Sequence, residues 1–356
     1  NQFTVGIVDD VTFKSLPLLP EISVVPKGTY EAKFYGIGSD GTVGANKNSI
    51  KIIGSATDKY VQGYFAYDSK KSGGITVSHL RFGDQPIRSP YLVNSPDFVA
   101  CHVPAYLDKY DMLKGLKKGG TLLLNSIWEV EETKNRLPNH MKKFLAENNI
   151  NFYVINATKI AENIGLGNRT NSIMQAAFFK VSNVITYDVA VKEMKNAITK
   201  TYSSKGEKIV NMNHQAIDKG SDVIKVEIPS EWSKIIIETE KDSRNIPDFI
   251  KNVVEVINSQ KGDDLPVSAF VGREDGTFPS GTTIYEKRGI AVHIPEWIPE
   301  NCTQCNQCAY VCPHAAIRPY LMNKEEISKA PNDTKVLKAI GKSFEGLDYR
   351  IQISPL

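Results

Sequence analysis

The sequence predicts an α/β protein with a doubly wound, mostly parallel sheet over residues 31–228. A small α+β domain over 229–298 and a cysteine-bearing segment over 299–356 follow. Three observations lead there. Apolar runs of strand length alternate with helical patterns through 31–228, the order that produces parallel strands with helices on both faces. A glycine-rich turn joins the first strand to the first helix. Four of the five cysteines fall in one short run near the C-terminus.

Residues 1–30 are irregular, with Pro17, Pro20 and Pro26 set among Leu16, Leu18 and Leu19. That pattern suits a connecting arm packed on another surface. Residues 31–35 read as a strand, 36–44 as the glycine turn and 45–55 as a helix. Strands follow at 60–67, 75–82, 97–102, 121–125 and 151–155, with helical patterns at 106–117 and 131–147 between them. Helices are expected near 157–164, 170–182, 188–203 and 206–218, then a strand at 223–228. Beyond 229 the chain turns polar, with one amphipathic stretch at 246–257 and β-like runs at 267–271, 283–285 and 290–293.

Composition narrows the class. Of the 356 residues, 41% are hydrophobic and 23% charged, ordinary for a globular protein. The net charge of +3 comes without a block of like charges or a basic aromatic stripe, so nucleic acid is not an expected partner. No apolar run approaches the length of a membrane span. The N-terminus, which lacks a Met, signal peptide or transit peptide, also fits an excised fragment. Clustered cysteines with metal spacing argue against a disulfide framework and for a reducing cytoplasm.

The cysteine run is Cys302-x-x-Cys305-x-x-Cys308-x-x-x-Cys312-Pro313. Four thiols at this spacing before a proline are the bacterial ferredoxin signature for a [4Fe–4S] cluster, in which the fourth cysteine serves the other cluster of a pair. The sequence holds no second run, so the segment reads as a truncated ferredoxin-like module in which cluster assembly is not assured. Structural zinc is the alternative, but it usually takes cysteines in pairs across a long spacer.

Gly36, Gly38 and Gly41 fit G-x-G-x-x-G between a strand and a helix, and Asp68 ends the next strand, as in a Rossmann-like dinucleotide fold. NAD is therefore a candidate. Lys70 and Lys71 directly after Asp68 favour a ligand with an extra phosphate, either NADP or the 3′-phosphate of coenzyme A. Lys47, Asn48 and the run Asn168-Arg169-Thr170-Asn171 add phosphate-capable donors. A turn that only connects two elements is the remaining alternative. Cys101 lies in an apolar run and reads as a core thiol; His79 and His293 read as structural, and no role is assigned to His314.

Six stretches carry a resemblance that runs through nearly the whole chain. They are Phe3-Thr-Val-Gly-Ile-Val-Asp-Asp10, Phe34-Tyr-Gly-Ile-Gly-Ser-Asp-Gly-Thr-Val-Gly-Ala-Asn-Lys-Asn48, Gly63-Tyr-Phe-Ala-Tyr-Asp-Ser-Lys-Lys-Ser-Gly-Gly74, His79-Leu-Arg-Phe82, Gly165-Leu-Gly-Asn-Arg169 and Tyr285-Glu-Lys-Arg-Gly289. On these the sequence resembles the pyruvate:ferredoxin (flavodoxin) oxidoreductases. The resemblance implies the middle of such an enzyme: a coenzyme A-binding domain at 31–228, a small Glu-Lys-Arg domain at 229–298 and the start of the cluster domain. It implies that Gly41, Thr42, Lys70, Lys71, Ser72, Arg169 and Asn171 face coenzyme A and that Cys302, Cys305, Cys308 and Cys312 bind iron–sulfur clusters. It places thiamine diphosphate and Mg outside this chain. Ferredoxin or flavodoxin is the implied acceptor, the remaining domains of the enzyme are partners in a homodimer, and no residue of this chain is the acid, base or nucleophile. The rivals are an NAD(P)- or flavin-linked iron–sulfur oxidoreductase subunit, which would use the glycine turn for a dinucleotide, and a non-catalytic electron-transfer module, which would need only the cysteines.

Overall fold

Seven of the apolar runs become strands of one sheet, ordered β2-β3-β1-β4-β5-β6-β7. They are β1 (Tyr30–Ile37), β2 (Tyr60–Tyr67), β3 (Ile75–Gly83), β4 (Phe98–Cys101), β5 (Thr121–Asn125), β6 (Asn151–Ile155) and β7 (Ile224–Val226). This computed structural model describes residues 2–20, 22–69, 73–237, 244–286, 289, 291 and 294–354. It divides into two units, Asn1–Thr277 and Phe278–Leu356.

In the first unit β1, β4, β5 and β6 pair in parallel. β3 runs antiparallel to both β1 and β2, and β7 runs antiparallel to β6. The expected doubly wound, mostly parallel sheet is therefore present, edged by antiparallel strands. Its helices are α1 (Thr42–Ala56), α2 (Val130–Arg136), α3 (Asn139–Glu147), α4 (Ala157–Ile164), α5 (Asn171–Ser182), α6 (Tyr187–Tyr202) and α7 (Glu207–Lys219). Strand order reverses at β1. The chain runs from β1 through α1 to β2 on one side and continues at β4 on the other. A sheet that reverses in this way opens a crevice beyond the carboxyl ends of its strands.

Period-two alternation assigns side chains to faces. Ala32 and Phe34 of β1, Leu80 and Phe82 of β3, Phe98 and Ala100 of β4 and Leu123 of β5 join one core cluster with the helices. α5 lies against α1, α4, α6, α7 and β5. Its residues from Ser172 to Phe179 are all buried, as expected of a helix enclosed on every side. Phe178 sits 5.1 Å from both Phe34 and Phe98, ring centre to ring centre, with edge-on geometry. The alternate residues Val99, Cys101, Leu122 and Leu124 point to the other face and are equally buried. There Arg81 pairs with Glu31 at 2.8 Å and also donates to Gln62 Oε1 and to the carbonyls of Tyr91 and Leu92. A buried cation answered in this way avoids the penalty of an unpaired charge. Burial, with Lys33 and Arg81 nearby, pushes His79 down to about 4. Its Nδ1 accepts the Val93 amide, so His79 is a neutral structural residue. His293 lies outside the described residues.

Several expected elements are corrected. Residues 106–117 are not a helix but a 3-10 turn, Pro104–Tyr106, followed by further turns. Their apolar spacing does serve burial of Tyr106, Met112, Leu113 and Leu116. The helix is prevented at Gly115, whose φ of 81° brings it against the Asn94 carbonyl, a position no Cβ could share. The 131–147 helix splits into α2 and α3 because Pro138 forces Leu137 into extended backbone, at φ −62° and ψ 133°. The β-like runs at 267–271 and 283–285 fold as 3-10 turns, Val267–Phe270 after Pro266 and Thr282–Tyr285 after the left-handed Gly281. The run at 290–293 lies largely outside the described residues. The stretch at 246–257 forms a π turn, Ile250–Val254, continued by α8 (Glu255–Asn258).

The N-terminal arm folds around Asp9, whose carboxyl is held down at about 2 by hydrogen bonds from the Thr12 hydroxyl and amide. Ser268 donates to the Asp10 carboxylate. Phe13, Leu18, Leu19 and Ile22 are each more than 80% exposed, so the arm turns these apolar side chains outward.

The second unit carries an antiparallel sheet ordered β8-β10-β9: β8 (Ile317–Met322), β9 (Leu337–Lys338) and β10 (Asp348–Ile353). The cysteine run precedes β8 and contains α9 (Gln307–Tyr310). Tyr349 and Ile351 of β10 are buried, and Trp297 meets Tyr349 edge-on at 6.3 Å. Among the described residues no helix is long and apolar enough to cross a membrane.

Candidate functional site

A cleft of about 440 Å³ lies at the carboxyl ends of β1 and β2, lined by Gly38, Asp40, Gly41, Asp68 and Thr76 among others. It lies on the β2–β3 side of β1, the strand at which the order reverses, and none of its described lining residues comes from β4. The turn above it is fixed from several sides. The Asp40 carboxylate accepts the amides of Ile37 and Thr42 at 2.9 and 2.7 Å and the Thr42 hydroxyl at 2.8 Å. The same hydroxyl lies 3.1 Å from Nδ1 of His102, just beyond β4. Tyr106 donates to the Gly36 carbonyl at 3.2 Å, and the Gly38 amide donates to Gly74 at 2.8 Å. Burial lowers the pKa of His102, with Asp40 acting in the opposite direction.

α1 opens on Gly41, at φ 89°, with no side-chain cap on that residue and no acid in its first turn. The Asp40 carboxylate takes the Thr42 amide, so the later amides of the first turn, with the positive end of the helix dipole, are what remain for an anion. A Cβ on Gly41 would lie 3.1 Å from Asn171 Nδ2, so the first residue of α5 stands directly beside the start of α1. Arg169 is exposed and makes no ion pair among the described residues.

The structure thus brings Gly41 and Asn171 together, with Arg169 two positions before Asn171. Thr42 is 1% exposed, and its hydroxyl serves the turn itself. Lys70, Lys71 and Ser72 lie outside the described residues, although Asp68 and Gly74 on either side line the cleft. Asn48 accepts a hydrogen bond from Gln175, and Lys47 lies over the Phe65 ring at 5.2 Å; both are engaged within the fold. Sequence reasoning missed Asp40, Thr76 and His102. An Asp two positions before the helix start is a visible turn signal. Thr76 and His102 arrive from other strands and leave no local signal. Cys101 is fully buried, and burial pushes its thiol up to about 12, which makes it the expected core thiol.

In the second unit Cys302 and Cys312 are partly buried, and Cys305 and Cys308 are exposed. Gln304, Asn306 and Ala315 adopt left-handed φ values of 56°, 58° and 50°. These turns direct amides at sulfur. The Gln307 amide and the Thr303 hydroxyl lower the Cys305 thiol. The amides of His314, Ile317 and Ala316 lower that of Cys312. Tyr349 is raised first by burial and then by the thiols of Cys302, Cys308 and Cys305. Those three cysteines therefore lie within electrostatic reach of one tyrosine, and the Cys312 sulfur accepts the Ala316 amide at 3.3 Å. Soft thiolates with hydrogen-bond donors around them suit iron–sulfur ligation. Among the described residues no three His, Cys, Asp or Glu side chains converge on a single ion.

A cleft beside a glycine turn and a ferredoxin-type cysteine run in one chain are the combination expected of an iron–sulfur oxidoreductase component. Residues 31–223 match the family model described as pyruvate ferredoxin/flavodoxin oxidoreductase. Residues 237–291 match one described as a domain of unknown function, and 294–317 one described as a 4Fe-4S binding domain. The chain belongs to the pyruvate ferredoxin/flavodoxin oxidoreductase family. It is 56% identical to the pyruvate:ferredoxin oxidoreductase of Moorella thermoacetica over 357 residues, covering 100% of this chain and 30% of that protein. It is 53% identical to the pyruvate-flavodoxin oxidoreductase of Enterobacter agglomerans, covering 99% of this chain and again 30% of that protein. Pyruvate dehydrogenase [NADP(+)] of Cryptosporidium parvum is 44% identical over 386 residues, which cover 100% of this chain and 20% of that protein. The chain therefore spans less than a third of the length of these curated relatives.

Proposed function

We propose that this chain supplies coenzyme A binding and part of the iron–sulfur electron relay of an enzyme that oxidatively decarboxylates pyruvate. Its products would be acetyl-CoA and CO2, and its acceptor ferredoxin or flavodoxin. Residues 31–228 form the coenzyme A domain, 229–298 the small Glu-Lys-Arg domain and 299–356 the cluster segment, acting beside the other domains of a homodimeric, cytoplasmic enzyme. The carrying observation is the start of α1, left-handed at Gly41 and adjacent to Asn171 at the mouth of the cleft. Coenzyme A brings a diphosphate and a 3′-phosphate, and helix amides together with cations are what bind such groups.

In this reading Gly41 lets the backbone approach the diphosphate, while Asn171 and Arg169 contact the nucleotide. Thr42 shapes the turn with Asp40 and His102. Lys70, Lys71 and Ser72 would contact coenzyme A, the two lysines supplying the cations that its 3′-phosphate needs. The domain's task is to bind and orient coenzyme A so that its thiol accepts the acetyl group. Thiamine diphosphate with Mg, held by other domains, supplies the decarboxylation chemistry. Cys302, Cys305 and Cys308 would hold one [4Fe–4S] cluster, which passes electrons singly, and Cys312 would serve a second. The relatives are named for ferredoxin, flavodoxin and NADP(+). Their shared similarity to this stretch supports acceptor choice being made elsewhere in such enzymes.

The competing dinucleotide reading draws on Asp68, which lines the cleft where an acid would hold a ribose. Calorimetric titration of the chain separates the two. Coenzyme A is expected to bind at least about tenfold more tightly than dephospho-coenzyme A, a difference of about 1.4 kcal/mol, and more tightly than NADPH. NADPH binding tightest would overturn the assignment.

A further inference from the structure

Thr76 of β3 pairs across the sheet with Gly36 and Tyr67 and lines the cleft. It is 4% exposed, yet its hydroxyl has no hydrogen-bond partner among the described residues. Ser78, two positions along on the same face of the strand, is fully buried and equally unpartnered. Ser78 does not line the cleft, and Thr76 does. A buried hydroxyl without a partner costs free energy comparable to a lost hydrogen bond. Native proteins seldom retain such a group without a use. A valine would fill the same volume on a β-strand at no such cost. The placement of Thr76 is also specific. It pairs with Gly36 at the glycine turn and lines the crevice together with Gly41 and Val43 at the start of α1, where the helix end favours an anion.

We infer that Thr76 contacts the ligand directly, its hydroxyl donating a hydrogen bond to a phosphate oxygen of the bound nucleotide. The inference rests on the reading of the cleft as a coenzyme A site and adds a residue that the glycine motif does not contain. A residue kept for a bound phosphate is unsatisfied only in the free protein. Removing its hydroxyl therefore relieves the free state and weakens the complex, a pair of effects that a merely structural hydroxyl cannot produce.

The test compares wild type, Thr76→Val, Thr76→Ser and Ser78→Ala in the full chain by thermal unfolding and by coenzyme A titration. Thr76→Val is expected to melt at or above the wild-type temperature while binding coenzyme A about tenfold more weakly. Thr76→Ser, which keeps the hydroxyl, should retain most of the affinity. Ser78→Ala should match or exceed wild-type stability with unchanged affinity. Unchanged affinity in Thr76→Val, with wild type binding normally, would remove the contact and leave the cleft reading intact. A lower melting temperature for Thr76→Val would give the hydroxyl a structural partner and overturn the inference. Failure of wild type to bind coenzyme A would overturn the cleft reading and this contact with it.

Discussion

Replacing Phe178 by alanine is expected to cost about 3–5 kcal/mol and to lower the melting temperature by about 10 °C. The ring is 0% exposed and lies at the meeting point of three strands and a helix. Phe34 of β1 and Phe98 of β4 meet it edge-on, Phe82 of β3 lies at 6.4 Å and Phe179 at 5.1 Å. Edge-on aromatic pairs add about 0.5–1.5 kcal/mol each beyond burial, and a cavity enclosed by a sheet cannot readily collapse. Denaturant unfolding of Phe178→Ala beside Leu18→Ala provides the measurement. Leu18 is 91% exposed, and its loss should stay within about 0.5 kcal/mol. A Phe178→Ala cost below about 1 kcal/mol would mean that the ring does not hold helix to sheet.

Gly41→Val is expected to weaken coenzyme A binding by roughly a hundredfold, equivalent to about 2.8 kcal/mol, while costing about 1–2 kcal/mol in stability. Two constraints act together at this position. The backbone φ of 89° belongs to the left-handed region, where a β-branched residue is strained. A Cβ would also press on the Asn171 side chain at 3.1 Å, separating two groups assigned to the ligand. Stability loss with intact affinity would show that the turn only connects β1 to α1, the bland alternative raised by the sequence.

Much of this organisation was legible in the residues. The strands at 60–67, 121–125 and 151–155 appear at the residues expected, because apolar runs bounded by polar turn residues define their own limits. α5 was equally clear, since from Ile173 to Phe179 only Gln175 interrupts its apolar residues. Where tertiary contact overrides local pattern, reading failed. The spacing at 106–117 mimics a helix but fills one face of the sheet through turns, and Gly115 against Asn94 decides the outcome. The cysteine ligands were legible because their spacing is local and chemical. The groups that come from elsewhere were not: Thr76 lines the cleft from β3, and His102, just beyond β4, holds the Thr42 hydroxyl. Only the strand order, which reverses at β1, brings them to Asp40 and Gly41.

Amide hydrogen exchange of the chain with and without saturating coenzyme A tests the central claim most directly. Bound coenzyme A should slow exchange in the glycine turn at 36–44, in the 73–76 segment that faces it and at the start of α5 near 169–172, while β8 to β10 remain unchanged. Protection confined to other segments, or saturable binding that leaves 36–44 exchanging as in the free protein, would contradict the account.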